Sequence, residues 1–163
     1  MTVAVRPIDN VFASPPNRDR AIGHDAERLR DLFRTALARD KSIFFGWTQL
    51  ELNAACWEAA RDNWDGYGAR AVDPDAYQKA VAFLQVLPVS LPGPEVAIDP
   101  DGEISFTWQR DLRRLFSVSV GPSNTLSYAG LLGQVSTYGT EYFADELPPS
   151  ILVNLARLYP KGS

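Results

Sequence analysis

One histidine, one cysteine, one methionine and only three lysines occur in this chain of 163 residues, and each scarcity removes a class of function. With His24 and Cys56 as sole representatives, the usual histidine and cysteine zinc sets cannot be assembled, and no metal or cofactor is implied. A serine triad has only His24 to call on, and a thiol–imidazole pair has only Cys56; no catalytic residue is assigned. Cys56 cannot form an internal disulfide, which fits a reducing compartment and makes cytoplasmic the expected location. No apolar run approaches the roughly 20 residues that span a bilayer, and Met1–Arg20 lacks the apolar core of a signal peptide.

Basic charge in excess is missing too. The net charge is −4 and residues 1–40 hold seven Arg against six acids, so no block is strongly basic. That weighs against nucleic acid, whose non-specific affinity comes from cations neutralising phosphates. The phosphate loop is also absent, because Gly66-Tyr67-Gly68 is followed by neither a third glycine nor a helix lysine.

What is present is aromatic and apolar matter, 18 aromatic residues and 45% hydrophobic content, enough for one folded core. Residues 1–20, with Pro7, Pro15 and Pro16 and no period, read as a flexible arm before a single domain over 21–163. Leu29, Leu32, Phe33, Ala36 and Leu37 share a helical stripe and predict a helix from Asp25 to Asp40. Thr48 and Glu51 have capping-box spacing and predict a second helix to about Asp62, with Leu50, Ala54, Trp57 and Ala60 on its face. Asp73-Pro74 supplies an N-cap and a first-turn proline for a third helix, which Pro88 limits.

Beyond Pro94 the period becomes two. Val96 and Ile98, then Ile104, Phe106 and Trp108, then Phe116, Val118 and Val120, then Leu126 and Tyr128 alternate with small or polar residues. Asp99-Pro100-Asp101-Gly102 and Gly121-Pro122-Ser123-Asn124 supply turns. Residues 131–143 read as a glycine-interrupted edge strand, and a final helix carries Ile151, Leu152, Leu155, Leu158 and Tyr159. The expectation is an α+β domain: three N-terminal helices, an antiparallel meander of four or five strands, and one C-terminal helix, packed on one sheet face.

Three features qualify as contact surfaces. Trp64, Asp65 and Tyr67 sit in the turn Asn63-Trp64-Asp65-Gly66-Tyr67-Gly68-Ala69, either a recognition surface or an internal clasp in which Trp64 is buried and Asp65 caps amides. Arg110, Arg113 and Arg114 crowd one strand connection and would grip carboxylates or phosphates, or else be solvated and paired with Asp111. The outer sheet face, Ser105, Thr107, Ser117, Ser119 and Ser127 with Glu103 as its one charge, is either ordinary solvated sheet or a docking face.

Trp64–Ala69, Pro100–Ile104, Phe106-Thr107-Trp108, Ser117-Val118-Ser119, Tyr128-Ala129-Gly130 and Gly139-Thr140-Glu141 together resemble a family of small uncharacterised bacterial proteins, over about residues 60–145. The resemblance implies a bacterial or mobile-element cytoplasmic protein and supplies no activity. That family often carries an acid where this chain has Thr107. The leading expectation is a non-enzymatic protein-binding module, a small acidic inhibitor or antitoxin-like regulator whose partner is another protein. The alternatives are a carboxylate-dependent hydrolase or nuclease-like enzyme and, third, a specific nucleic-acid binder. Asp62, Asp65, Asp111 and Glu141 are the unassigned carboxylates.

Overall fold

A computed structural model describes residues 46–88, 90–144 and 146–160. The predicted arm over 1–20, the predicted helix over 25–40 and His24 lie outside the described residues. Within them the order is helix α1 (Gly46–Glu58), helix α2 (Pro74–Val86), strands β1 (Glu95–Ile98), β2 (Ile104–Asp111), β3 (Arg114–Val120), β4 (Thr125–Leu132) and β5 (Val135–Tyr142), then helix α3 (Pro149–Leu158). The sheet is an antiparallel meander in the order β1-β2-β3-β4-β5. The α+β class and the five-stranded antiparallel sheet therefore match the alternation read from the sequence.

Register fixes what each face carries. Ile104, Phe106 and Trp108 stand opposite Val120, Val118 and Phe116, and Val120 and Val118 stand opposite Leu126 and Tyr128. Paired residues share a face, so these side chains make one apolar surface. The helices cover it: α1 lies along β1, α2 on β2 and β3, and α3 on β3 and β4. Phe83 of α2 is the hub, with ring centroids 5.4 Å from Phe106, 6.5 Å from Trp108 and 6.0 Å from Phe143. Trp108 is fully enclosed, and its indole N–H donates to the Pro92 carbonyl at 2.9 Å, so the one polar atom it buries is satisfied.

The predicted helix starts fare differently. Asp73 caps α2 by accepting from the Asp75 amide at 2.7 Å, with Pro74 in the first turn. The capping box at Thr48 is not the start of α1. The helix already includes Gly46, and Thr48 is buried within it. The face is corrected in part: Leu52 and Cys56 are buried with Thr48 while Leu50 and Ala54 are exposed, and Trp57 and Ala60, both expected there, pack half-buried against the core. The helix ends at Glu58 rather than Asp62. In α3, Ile151, Leu155 and Leu158 are enclosed with Asn154, whereas Leu152 faces outward.

Two of the turns depend on glycine. Gly102 holds φ +87° between β1 and β2, and a side chain there would strike the Ala71 carbonyl at 2.7 Å, so only glycine fits this approach. Gly133 (φ +76°) begins the two-residue connection from β4 to β5, as the primed hairpin turns require.

Candidate functional site

The Trp64–Ala69 turn is organised by its own polar groups. The Asp65 carboxylate accepts from the Tyr67 amide at 2.8 Å and the Ala69 amide at 3.1 Å. Those backbone donors, Tyr67 first, hold its pKa below the usual carboxylate value. Asn63, at φ +61°, accepts from the Gly68 amide at 2.8 Å. Trp64 is half-buried against the core, and its indole N–H donates to the Arg70 carbonyl at 3.0 Å. The Arg70 amide in turn donates to the Pro100 carbonyl at 2.8 Å, and the Ala71 amide to Asp62 at 2.9 Å. The loop thus docks on the β1–β2 turn at Gly102. Trp64 and Asp65 belong to an internal clasp between helix and sheet; Tyr67, 95% exposed at the tip, is the member left facing solvent.

The three arginines do not form one grip. The connection between β2 and β3 is only Leu112-Arg113, because Asp111 pairs with Arg114. A bulge between Gln109 and Asp111 makes Arg110 the extra residue of β2. Its guanidinium donates to the Leu158 carbonyl at 3.3 Å, at the C-terminal end of α3, where a cation meets unpaired carbonyls and the negative end of the helix dipole. Arg114 lies 3.7 Å from Asp111, at the surface, an arrangement worth little in stability. Asp111 also accepts from the Arg113 amide at 2.8 Å. Arg113 and Leu112 remain at the exposed tip.

The outer sheet face lies opposite the one that the described helices enclose. Its register places Glu95 and Ala97, Ser105 and Thr107, Ser117 and Ser119, Ser127 and Ala129, and Tyr138, Thr140 and Tyr142 on one side. Glu95 therefore adds a second carboxylate to the one expected at Glu103. The hydroxyls satisfy one another across strands: Thr107 and Ser117 at 3.0 Å, Ser105 and Ser119 at 3.4 Å, with Ser105 also donating to Asp99. Several residues of this surface escape the reading of the sequence, two exposed tyrosines above all. Tyr138 and Tyr142 are 82% and 68% exposed on β5, opposite Ala129 and Thr125. Their signal is two tyrosines at spacing four around Gly139, in the segment read only as an edge.

The carboxylates at the β1–β2 turn have structural employment. Asp99 accepts from Ser105, and Asp101 accepts from the Glu103 amide at 3.1 Å. Glu103 has its pKa raised by partial burial, then by the nearby charges of Asp101 and Asp99. Glu141 accepts from the Ser150 hydroxyl at 2.6 Å. Among the described residues no group of three or more His, Cys, Asp or Glu gathers as a metal site. Burial pushes the Cys56 thiol well above its ordinary pKa, which suits a small core residue rather than a nucleophile. No described helix is long and apolar enough to cross a membrane. Comparison with family models, curated proteins and solved structures finds no match to this chain.

Proposed function

We propose that this chain is a non-enzymatic protein-binding module, a small acidic inhibitor or antitoxin-like regulator of a bacterial or phage system, and that the outer sheet face is its contact surface. The observation that supports this is the self-satisfied hydroxyl ladder. Covering a polar surface costs free energy when its groups lose water without gaining partners. Thr107–Ser117 and Ser105–Ser119 already have partners within the sheet, so a partner can cover this face without stranding them. Ala97 and Ala129 keep the surface low, and Tyr138 and Tyr142 border it with large amphipathic rings of the kind enriched in interfaces. Tyr67 and Arg113 are secondary contacts at other edges of the molecule, whereas Trp64, Asp65 and Arg110 are engaged within the fold and Arg114 is in a surface pair with Asp111.

Affinity capture from a bacterial lysate, followed by mass spectrometry and a binding measurement with the purified partner, tests this reading. Ser117→Arg with Ser127→Arg places two long cations on the face and should weaken the partner more than tenfold, over about 1.4 kcal/mol. Tyr67→Ala should weaken it less. A partner held equally by both variants and the parent, with unchanged melting, would remove the outer face from consideration.

A further inference from the structure

The two edges of the sheet are treated unequally. At one, β1 has four residues, follows Pro92 and Pro94, and lies against α1. Short strands, prolines and covering helices are the usual protections of an edge. At the other, β5 runs for eight residues with neither proline nor lysine, and no further strand follows it among the described residues. Which of its backbone groups are open is set by the register. The Phe143 amide donates to the Asn124 carbonyl at 2.8 Å, continuing the β4–β5 ladder. Antiparallel bonds alternate along a strand, so Val135, Thr137, Gly139 and Glu141 bond to β4. Ser136, Tyr138, Thr140 and Tyr142 direct their N–H and C=O groups outward.

We propose that this edge pairs with a second copy of the same chain, β5 against β5 in antiparallel fashion about a two-fold axis, making one continuous sheet of both protomers. The strand is complementary to itself. Matching the two outer faces requires even-numbered residues to pair with even-numbered ones, which are the residues whose backbone groups are open. Centring the axis on Thr140 sets Tyr138 opposite the partner's Tyr142, and the symmetric pair repeats it. Cross-strand aromatic pairs are among the stabilising ones, and the small residues Ala129 and Thr125 beside these rings leave room for them. Charge does not oppose the contact. Each chain carries −4 overall, but the one acid of β5, Glu141, lies on the helix side and is held by Ser150. A strand edge and four rings make a small interface, at or below about 1,200 Å², the size class of weak and transient contacts.

Sedimentation velocity on the full chain from about 1 to 500 μM tests it, a range that brackets a micromolar equilibrium. The parent should pass from monomer to dimer across that range. Thr140→Pro removes an outward N–H and no bond to β4, and Thr140→Lys sets two like charges face to face at the axis. Both should remain monomeric throughout, a loss of tenfold or more in dimer affinity, with melting close to the parent. If the proline strains the strand and the protein unfolds, the lysine variant decides alone. A parent that stays monomeric to the top of the range overturns the proposal, and so does a dimer that persists in the folded lysine variant. Because no other protein is present, failure here leaves the heterologous partner reading standing, and capture experiments test that separately.

Discussion

The same five strands present two surfaces with opposite logic. The helix side is filled by shape: Phe106, Trp108, Phe116 and Val118 are enclosed, and Phe83 locks among the rings. The outer side is organised by pairing: Thr107 answers Ser117 and Ser105 answers Ser119 across the strands. One residue step along β2 passes from the first regime to the second. The difference is testable at adjacent positions. Trp108→Ala should cost about 3–5 kcal/mol, the range for truncating a buried aromatic, whereas Thr107→Ala should cost about 1 kcal/mol or less. Equal effects in denaturant melts would break the contrast and the register with it.

The glycines sharpen it next. Gly130 lies on the helix side of β4, and a methyl there would meet the Phe116 ring at 2.6 Å and the Leu115 carbonyl at 3.0 Å. Alanine in a strand ordinarily helps relative to glycine; here Gly130→Ala should cost about 1–3 kcal/mol by overpacking. Ala129→Val, one step away on the outer face, should change stability by less than about 0.5 kcal/mol. A neutral Gly130→Ala would mean that the Phe116–Tyr128 pair, 5.6 Å between centroids, slides easily and the helix side is looser than its contacts suggest.

The arginine connection extends the contrast to the sheet's end. Arg110→Ala should cost about 1 kcal/mol by leaving the Leu158 carbonyl without its donor, while Arg113→Ala, at the exposed tip, should be close to neutral. Thermal melts of the two single variants check this. Equal losses would return the three arginines to one common role.

How much of the fold is legible in the sequence depends on how strongly each segment is patterned. Asp73-Pro74, Asp99-Pro100-Asp101-Gly102 and the alternation through β2 and β3 carry local signals that tertiary packing then reinforces, and all of them hold. The face of α1 is not legible. Leu50, Leu52, Ala54, Cys56 and Trp57 spread apolar surface around the whole helix, so the choice among rows is left to the neighbours: β1 and α2 select Leu52 and Cys56. β5 misleads for a related reason. Its helix-side residues are Val135, Thr137, Gly139 and Glu141, and the Tyr128 ring lies across Gly139, with the hydroxyl 2.6 Å from where a Cβ would be. The two tyrosines of β5 consequently stand on the outside, whereas the aromatic rings of β2 and β3 face the helices. At the candidate surface, Tyr67 is legible as a tip residue. Tyr138 and Tyr142 are not, and the parting of Arg110 from Arg113 depends on a bulge that spacing alone does not reveal.

The smallest expected effects come from two carboxylates beside the clasp, and they have opposite signs. Asp65 is held below its usual pKa by the Tyr67 and Ala69 amides, so its ionised form stabilises the fold. That contribution is present above the ordinary carboxylate range and lost as pH falls through the lowered value. Asp65→Asn should therefore melt below the parent at neutral pH, with the gap closing in acid. Glu103 has its pKa raised, chiefly by burial and then by Asp101 and Asp99. The fold holds its proton more tightly than the unfolded chain does, so ionisation becomes a penalty as pH rises through the carboxylate range. Glu103→Gln should melt slightly above the parent at neutral pH and coincide with it in acid. Melting curves of both variants from about pH 3 to 8, spanning the carboxylate range, should show differences that diverge in opposite directions as pH rises. Curves that diverge in the same direction would mean that Glu103 has partners favouring its charge and that the β1–β2 turn is tied to the clasp by more than the Arg70–Pro100 bond.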